Sequence, residues 1–197
     1  MHKLIDGNKK FIEAFQTEQE LYKSLADKGQ HPKVLWVGCS DSRVVPEFIV
    51  NAKVGDLFVT RNIANIIPPA EADDSCTSSV LEYAVLHLEV KHIVICGHTG
   101  CGGITAVVKG TPKDTKIHEW LKHACQSKEL TIDSNRNELV LNTIKDNILL
   151  QAENLLTFDY VKERFDQGLL HIHKWLYDMN SGKISFFDDI NWNPLNR

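Results

Sequence analysis

Residues 93–103 read Ile93-Val94-Ile95-Cys96-Gly97-His98-Thr99-Gly100-Cys101-Gly102-Gly103. The run Ile93-Val94-Ile95-Cys96 is apolar, mostly β-branched, and ends at Gly97. That is the pattern of a strand buried on both faces, as in a parallel sheet. A helix over Gly100 to Lys109 follows, and Gly110-Thr111-Pro112 stops it. Val34-Leu35-Trp36-Val37, ending at Gly38, is a second such strand, and Leu57-Phe58-Val59-Thr60 a third. Between them and the 93–96 run, Ser79 to Glu89 predicts a helix with Val80, Tyr83, Ala84 and His87 along one face. Strands alternating with helices predict an α/β fold, with a mainly parallel central β-sheet flanked by helices.

Outward from this core the pattern is looser. Leu4, Phe11, Ile12 and Phe15 fall on a helical spacing, so residues 3 to 28 predict an N-terminal helical arm. So polar an arm buries little by itself, and packing on a second subunit would suit it. Glu138 to Leu156 predicts a long helix carrying Leu139, Thr143, Ile144, Ile148 and Leu155. Leu169 to Ile172 and Trp175 to Tyr177 form a late strand region. Asn180-Ser181-Gly182-Lys183 is a turn, and Ile184 to Phe187 an edge strand. Residues 112 to 137 are polar and carry no readable pattern. We read one domain over 1–197: the arm in 1–28, a core bearing the candidate metal site in 29–110, and C-terminal helices and edge strands in 111–197.

Composition removes several function classes. The 197 residues carry 22 Lys plus Arg against 26 Asp plus Glu, a net charge of -4. Such a balance leaves no basic footprint for nucleic acid or for an anionic membrane surface. The N-terminus lacks a secretory pattern, and no apolar run of about 18 residues occurs. The expected location is the cytoplasm. Five cysteines, an odd number, argue against a disulfide framework and for metal ligands, reactive thiols or buried small residues.

Two segments lie just past predicted strands: Cys39-Ser40-Asp41-Ser42-Arg43 and His98-Thr99-Gly100-Cys101-Gly102-Gly103. In open α/β sheets, ligands bind beyond the carboxyl ends of the strands. Loops from neighbouring strands would bring Cys39, His98 and Cys101 together. Two thiolates and an imidazole are a catalytic zinc set that leaves a fourth position open. Asp41 and Arg43, two apart, point the same way in an extended segment, so Arg43 can clamp the carboxylate with paired hydrogen bonds. The alternative is a surface ion pair worth about 0–1 kcal/mol. Zinc, two thiolates and a neutral imidazole sum to zero charge. Hydroxide and the Asp41 carboxylate then compete for the open position. Thiolates donate more charge than imidazoles, so this zinc acidifies water less than a three-histidine site does, and activity should rise towards alkaline pH.

These segments, with Arg61-Asn62-Ile63-Ala64-Asn65 and Glu82-Tyr83-Ala84-Val85 between them, resemble the β-class carbonic anhydrases. The likeness runs from about Gln30 to Gly110 and resumes near Asn154 to Phe187. It implies Cys39, His98 and Cys101 as ligands of one zinc ion per subunit, with Asp41 and Arg43 as the catalytic dyad. Zinc-bound hydroxide would attack carbon dioxide to give bicarbonate and a proton. Asp41 would orient that hydroxide, or become the fourth ligand in a closed state. The resemblance also implies that Gln30, Phe58 and Tyr83 line the substrate pocket, some across a dimer interface, and that the Gly102 N–H meets the bound product. Trp36, Arg61 and Tyr177 fit the bicarbonate regulatory pocket of one subgroup, whereas Ile66-Ile67-Pro68-Pro69 resembles the permanently open group. A homodimer, or a homotetramer built from two, is the expected assembly.

Two rival readings stand beside this one. Carbonyl sulfide and carbon disulfide hydrolases share the zinc set on the same fold. A non-catalytic zinc- or bicarbonate-binding protein is the other, although a closed structural site would require a further cysteine or histidine in these loops. Of the remaining residues, Cys96 is expected in the core, Cys76 partly buried and His87 in the core or an interface. His123 and Cys125 are a weak second pair. His171 and His173 are read as facing opposite sides of their strand, and so as poor candidates for one metal ion.

Overall fold

The computed structural model describes residues 1–124 and 136–195. The apolar runs form β1 (Val34–Cys39), β2 (Leu57–Asn62) and β3 (His92–His98). The late strand region is one continuous strand, β4 (His171–Tyr177), carried through His173-Lys174. These four are parallel neighbours in a six-stranded sheet of order β2-β1-β3-β4-β5-β6. β5 (Ile184–Phe187) and β6 (Trp192–Pro194) close the sheet antiparallel. The α/β class expected from the sequence is therefore observed. β5, however, is not an edge: β6 pairs with it. Trp192-Asn193-Pro194 is too short to show alternation, and its proline suits only an outermost strand.

The two faces of the sheet differ. Leu35, Val37, Ile93 and Ile95 belong to the main core, shared with Leu81, Ala84, Ile104, Ile144 and Ile148 of the helices. The other face holds a smaller cluster centred on Trp36, Val94 and Cys96, with Trp175 and Tyr177 packed against it. The long helix packs on β3 and β4. Before it along the chain come α1 (His2–Thr17), α2 (Gln19–Lys28), α3 (Pro46–Ile49), α4 (Ser75–Glu82), α5 (Gly102–Lys109) and α6 (Lys116–Leu121). The long helix is α7 (Arg136–Leu155), and α8 (Asp159–Asp166) follows it. α7 meets β3 closely at Gly97, where an added Cβ would lie 2.7 Å from Ile148 Cδ1.

The helix expected over 79–89 begins earlier, because Asp74 caps it by accepting from the Thr77 N–H. It then widens into a single π-type turn over Tyr83–His87. The extra residue in that turn rotates the face: Thr77, Leu81, Ala84 and Val85 are buried, while Tyr83 is 46% exposed and His87 is exposed. Of the expected stripe, Ala84 is buried and Val80 packs against the core, whereas Tyr83 and His87 are turned out. Cys96 is buried and Cys76 exposed. The N-terminal arm is two helices, broken at Glu18, and neither buries a residue in this chain. Leu4, Ile5, Phe11 and Ile12 stay exposed. Among the described residues no helix is long and apolar enough to cross a membrane.

Candidate metal centre

β1 and β3 are hydrogen-bonded neighbours, so their carboxyl ends deliver Cys39 and His98 side by side. One tight turn later, with Gly100 at φ 68°, the chain returns Cys101 to the same point. Glycine tolerates that left-handed backbone at no steric cost. The ligand atoms of Cys39, His98 and Cys101 all lie within 4.8 Å of one another, and all three residues are buried. The two Sγ atoms are 4.0 Å apart. Two zinc–sulfur bonds of about 2.3 Å at a tetrahedral angle would set them roughly 3.8 Å apart, so the spacing fits one tetrahedral ion.

The imidazole is prepared for the same role. His98 Nδ1 lies 3.0 Å from the Thr99 carbonyl oxygen. A carbonyl only accepts, so Nδ1 carries the proton and Nε2 keeps its lone pair. Among the described residues Nε2 has no hydrogen-bond partner, although it is buried. A buried polar atom without a partner is costly, and a cation seated between Nε2 and the sulfurs removes that cost. Thr99 is held in turn: its hydroxyl donates to Asp178, and the Met179 N–H donates to that hydroxyl. Sequence reasoning missed this support from the β4–β5 turn.

Both sulfurs sit among backbone donors. Cys39 accepts from the N–H groups of Asp41 and Ala64, and Cys101 from those of Gly103 and Ile104 at the start of α5. Donors and a helix N-terminus favour thiolate. The hydrogen bond from Cys101 lowers the Cys39 pKa, and the same contact raises that of Cys101. A metal ion bound there would hold both sulfurs as thiolates.

The Asp41–Arg43 pair has the expected form. Arg43 Nε donates to Oδ1 at 2.9 Å and Nη2 to Oδ2 at 2.7 Å. The Arg43 backbone N–H adds a third bond to Oδ1 at 3.0 Å. The guanidinium holds the Asp41 carboxyl well below the usual carboxylate range. Asp41 Oδ2 stands 3.9 Å from His98 Nε2, beside the ligand cluster. Arg61 reaches under this loop, with Nε on the Cys39 carbonyl at 2.8 Å and Nη2 on the Asp41 carbonyl at 2.6 Å.

Other expected residues are not at the cluster. Phe58 and Tyr83 pack on each other, ring centroids 5.8 Å apart. Phe58 pairs with Leu35, four residues short of Cys39, or roughly 13 Å along the strand. Gln30 is exposed and precedes β1. Gly102 opens α5, and a Cβ added there would meet nothing within 4 Å outside its own helix and chain neighbours. The Trp36 indole N–H is buried without a partner among the described residues. Tyr177 shares a shallow pocket with Arg43, Val45, Phe48, Ile49 and Gly182. Cys125 lies outside the described residues, so its pairing with His123 is not described.

Sequence reasoning also missed a buried amide network on α7. Asn147 donates to the Ala64 carbonyl at 3.0 Å. Gln151 accepts from the Ile67 N–H at 2.7 Å and donates to Asn147 and the His123 carbonyl. Asn154 donates to the Ile67 carbonyl at 2.8 Å. These amides hold the loop Ile63–Ile67, whose Ala64 N–H meets Cys39. Ala64 itself has φ 65°, a left-handed strain of about 1–2 kcal/mol that the network sustains. Their i, i+4, i+7 spacing on one face of an otherwise apolar stripe was the available signal.

Comparison with known proteins agrees with this geometry. The carbonic anhydrase family model matches residues 34–184. A carbonic anhydrase of Synechocystis is 36% identical over 198 residues, covering 96% of this chain and 72% of that protein. Carbonic anhydrase 1 of Escherichia coli O157:H7 is 37% identical, covering 95% of this chain and 88% of its own. The solved structure of the β-carbonic anhydrase CcaA superposes with a TM-score of 0.93 at 35% identity, over 100% of this chain and 92% of that one. A tetrameric β-carbonic anhydrase of Sordaria macrospora gives 0.81 at 32% identity, over 95% of each.

Proposed function

The chain belongs to the β-carbonic anhydrase family, and from that premise we propose that Cys39, His98 and Cys101 hold one zinc ion at which carbon dioxide is reversibly hydrated. The observation that carries the reading is His98 Nε2, buried, without a hydrogen-bond partner among the described residues, and grouped with two sulfurs 4.0 Å apart. Zinc, when bound, supplies the Lewis acid that activates water at neutral pH.

The chain's own residues do the rest. Asp41, anionic and fixed in direction by Arg43, accepts a hydrogen bond from the attacking water and turns its lone pair to the substrate. Both carboxylate oxygens are engaged by Arg43, which supports an open site in which Asp41 orients rather than coordinates. The Gly102 N–H, unpaired within its helix, donates to the product oxygen. Gln30, Phe58 and Tyr83 would line the pocket from a second subunit, since within one chain they stand away from the cluster. The uncovered apolar face of the α1–α2 arm supports a homodimer, with a tetramer of two dimers as its extension. Metal-site thiols suit the reducing cytoplasm, to which we assign the protein.

The test is stopped-flow hydration across pH with zinc quantified on the same samples. We expect one zinc per chain and a rate that rises into the alkaline range. Cys101→Ala should lose zinc and activity together, whereas Asp41→Asn should keep zinc and lose rate. Hydration that peaks in acid and falls above neutrality, or that persists without zinc, refutes the reading. Sedimentation of a Phe11→Asp, Ile12→Asp variant checks the dimer: dissociation is expected, with loss of activity.

A second reading rests on the buried Trp36 N–H, a donor in search of an acceptor. With Arg61 and Tyr177 it would serve a regulatory bicarbonate. Bicarbonate inhibition and the pH midpoint should then change in Trp36→Ala or Tyr177→Ala. No change in either variant removes this pocket from the proposal.

A further inference from the structure

Three histidines lie together far from the cluster described above. His92 opens β3, and in the parallel register it stands opposite His171 of β4, while Val94 stands opposite His173. Strand side chains repeat every two residues, so His171 and His173 share one face of the sheet, not two as the sequence was read. His92 joins them on that face. His92 Nδ1 and His173 Nε2 are 3.1 Å apart. The His171 ring stacks on His92, with centroids 5.4 Å apart and planes inclined by 25°. His173 is wedged between His92 and Trp175, at centroid distances of 5.2 and 6.3 Å. His92 and His98 stand at opposite ends of β3, roughly 20 Å apart.

We propose that His92, His173 and His171 form a second metal site, taking a divalent ion that prefers imidazole nitrogen, such as Ni2+, Cu2+ or Zn2+. With bonds of about 2.05 Å, a nitrogen pair at this spacing subtends roughly 100° at the ion, between the octahedral and tetrahedral angles. His92 and His173 are the fixed pair, on two hydrogen-bonded strands of a rigid sheet. His171 is exposed, so a side-chain rotation brings its nitrogen in as the third ligand, and solvent completes the shell.

The local electrostatics support a ligand role. Among the described residues no carboxylate forms an ion pair with any of the three rings. Burial, His171 and Lys91 lower the pKa of His92; burial, His92, His171 and Lys174 lower that of His173. Lys174 points to the opposite face and is paired with Asp189. The pair is therefore neutral at pH 7, and neutral imidazole is the form that binds metal. One N–H is shared between two ring nitrogens, and an ion replaces that single hydrogen bond with two coordinate bonds.

The experiment uses zinc-loaded protein without an affinity tag, titrated with NiCl2 at pH 7.5 in a non-coordinating buffer. Calorimetry should show one Ni2+ per chain beyond the resident zinc. Trp175 fluorescence should be quenched at the same stoichiometry, and the thermal midpoint should rise with Ni2+. His92→Gln and His173→Gln should each weaken the binding at least about tenfold, and His171→Gln by less. Circular dichroism without Ni2+ checks that the variants fold, and their zinc content, unchanged at the Cys39 site, keeps this result separate from the catalytic reading. No Ni2+ bound beyond background, or wild-type binding by the His92→Gln, His173→Gln double variant, overturns the proposal.

Discussion

Replacing Gln151 with leucine probes how the metal loop is held. The side chain is wholly buried, at 0% exposure, so no solvent rescues its partners. The Ile67 N–H, 2.7 Å from Gln151 Oε1, loses its acceptor in a residue that is itself 0% exposed. An unsatisfied buried donor costs about 1–3 kcal/mol. The bonds to Asn147 and the His123 carbonyl, at 3.0 and 3.1 Å, go too. Each is worth about 1 kcal/mol net. Leucine fits the volume and regains some apolar transfer energy, which leaves a destabilisation of about 3 kcal/mol. With a urea slope of about 2–3 kcal/mol/M for a chain of this size, the midpoint should fall by about 1–1.5 M. The loop Ile63–Ile67 then relaxes, and the Ala64 N–H moves off Cys39. Loss of such outer support lowers metal affinity by about 10-fold or more, read as faster zinc loss to a chelator. A midpoint shift below about 0.3 M, or unchanged zinc retention despite the full shift, would refute the claim that this network sets the Cys39 environment.

Further outcomes follow from other contacts. Gly97→Ala drives a methyl into Ile148, 2.7 Å from where the Cβ would lie, and should cost about 1–3 kcal/mol by overpacking; Gly97→Ala with Ile148→Val should recover part of it in the same urea assay. Arg43→Lys keeps the charge but loses the paired bonds, so the Asp41 carboxyl should titrate nearer its ordinary value of 3.8 by carbon NMR, with a slower hydration rate. His92 and His173 both have folded pKa values below 6.5, so below about that pH the unfolded chain binds more protons than the folded one. Their contribution to stability is therefore whole above pH 6.5 and lost as pH falls through the folded values. The thermal midpoint should drop between pH 7 and 5 by more in the wild type than in the His92→Gln, His173→Gln variant.

The cluster of Cys39, His98 and Cys101 was legible because its signals are local. An apolar run names a buried strand, the glycine after it names the strand end, and the ligand types follow at once in Cys39, His98 and Cys101. The parallel sheet then brings two such ends together without further information. What stayed hidden depends on register or on burial of polar groups. Asn147 and Gln151 fall on the apolar stripe of α7, but amides are ordinarily assigned outward, so their type and not their spacing kept them out of the expected core. Arg61 is placed by resemblance in the regulatory pocket, and only the pairing of β2 with β1 puts it under Cys39 and Asp41. The histidines on β3 and β4 needed both the period of two and the register opposite His92. Tyr83 and His87 were assigned to the wrong face because a π-type turn leaves no periodic trace in sequence.

β3 joins these observations. Its carboxyl end carries His98, fixed by Thr99 and by the β4–β5 turn behind it, and its amino end carries His92. Between them Gly97 lets Ile148 of α7 approach to contact, so the helix that carries Asn147 and Gln151 is seated directly on the strand that carries His98. The same helix thus positions the histidine side of the site through packing and the Cys39 side through amide bonds to the Ile63–Ile67 loop. The strain at Ala64 becomes intelligible in this light. A left-handed alanine costs about 1–2 kcal/mol, yet it turns an N–H onto a sulfur that must be anionic. Strain held by a buried network keeps that donor in position before any ion arrives, and a preformed set of donors loses less freedom when the ion binds. His98 Nε2, buried without a hydrogen-bond partner among the described residues, carries a cost that one cation at this point would remove. The donors that Ala64 and the start of α5 aim at the two sulfurs would serve the same cation, so the energy of binding it would also be energy of folding for this end of the sheet.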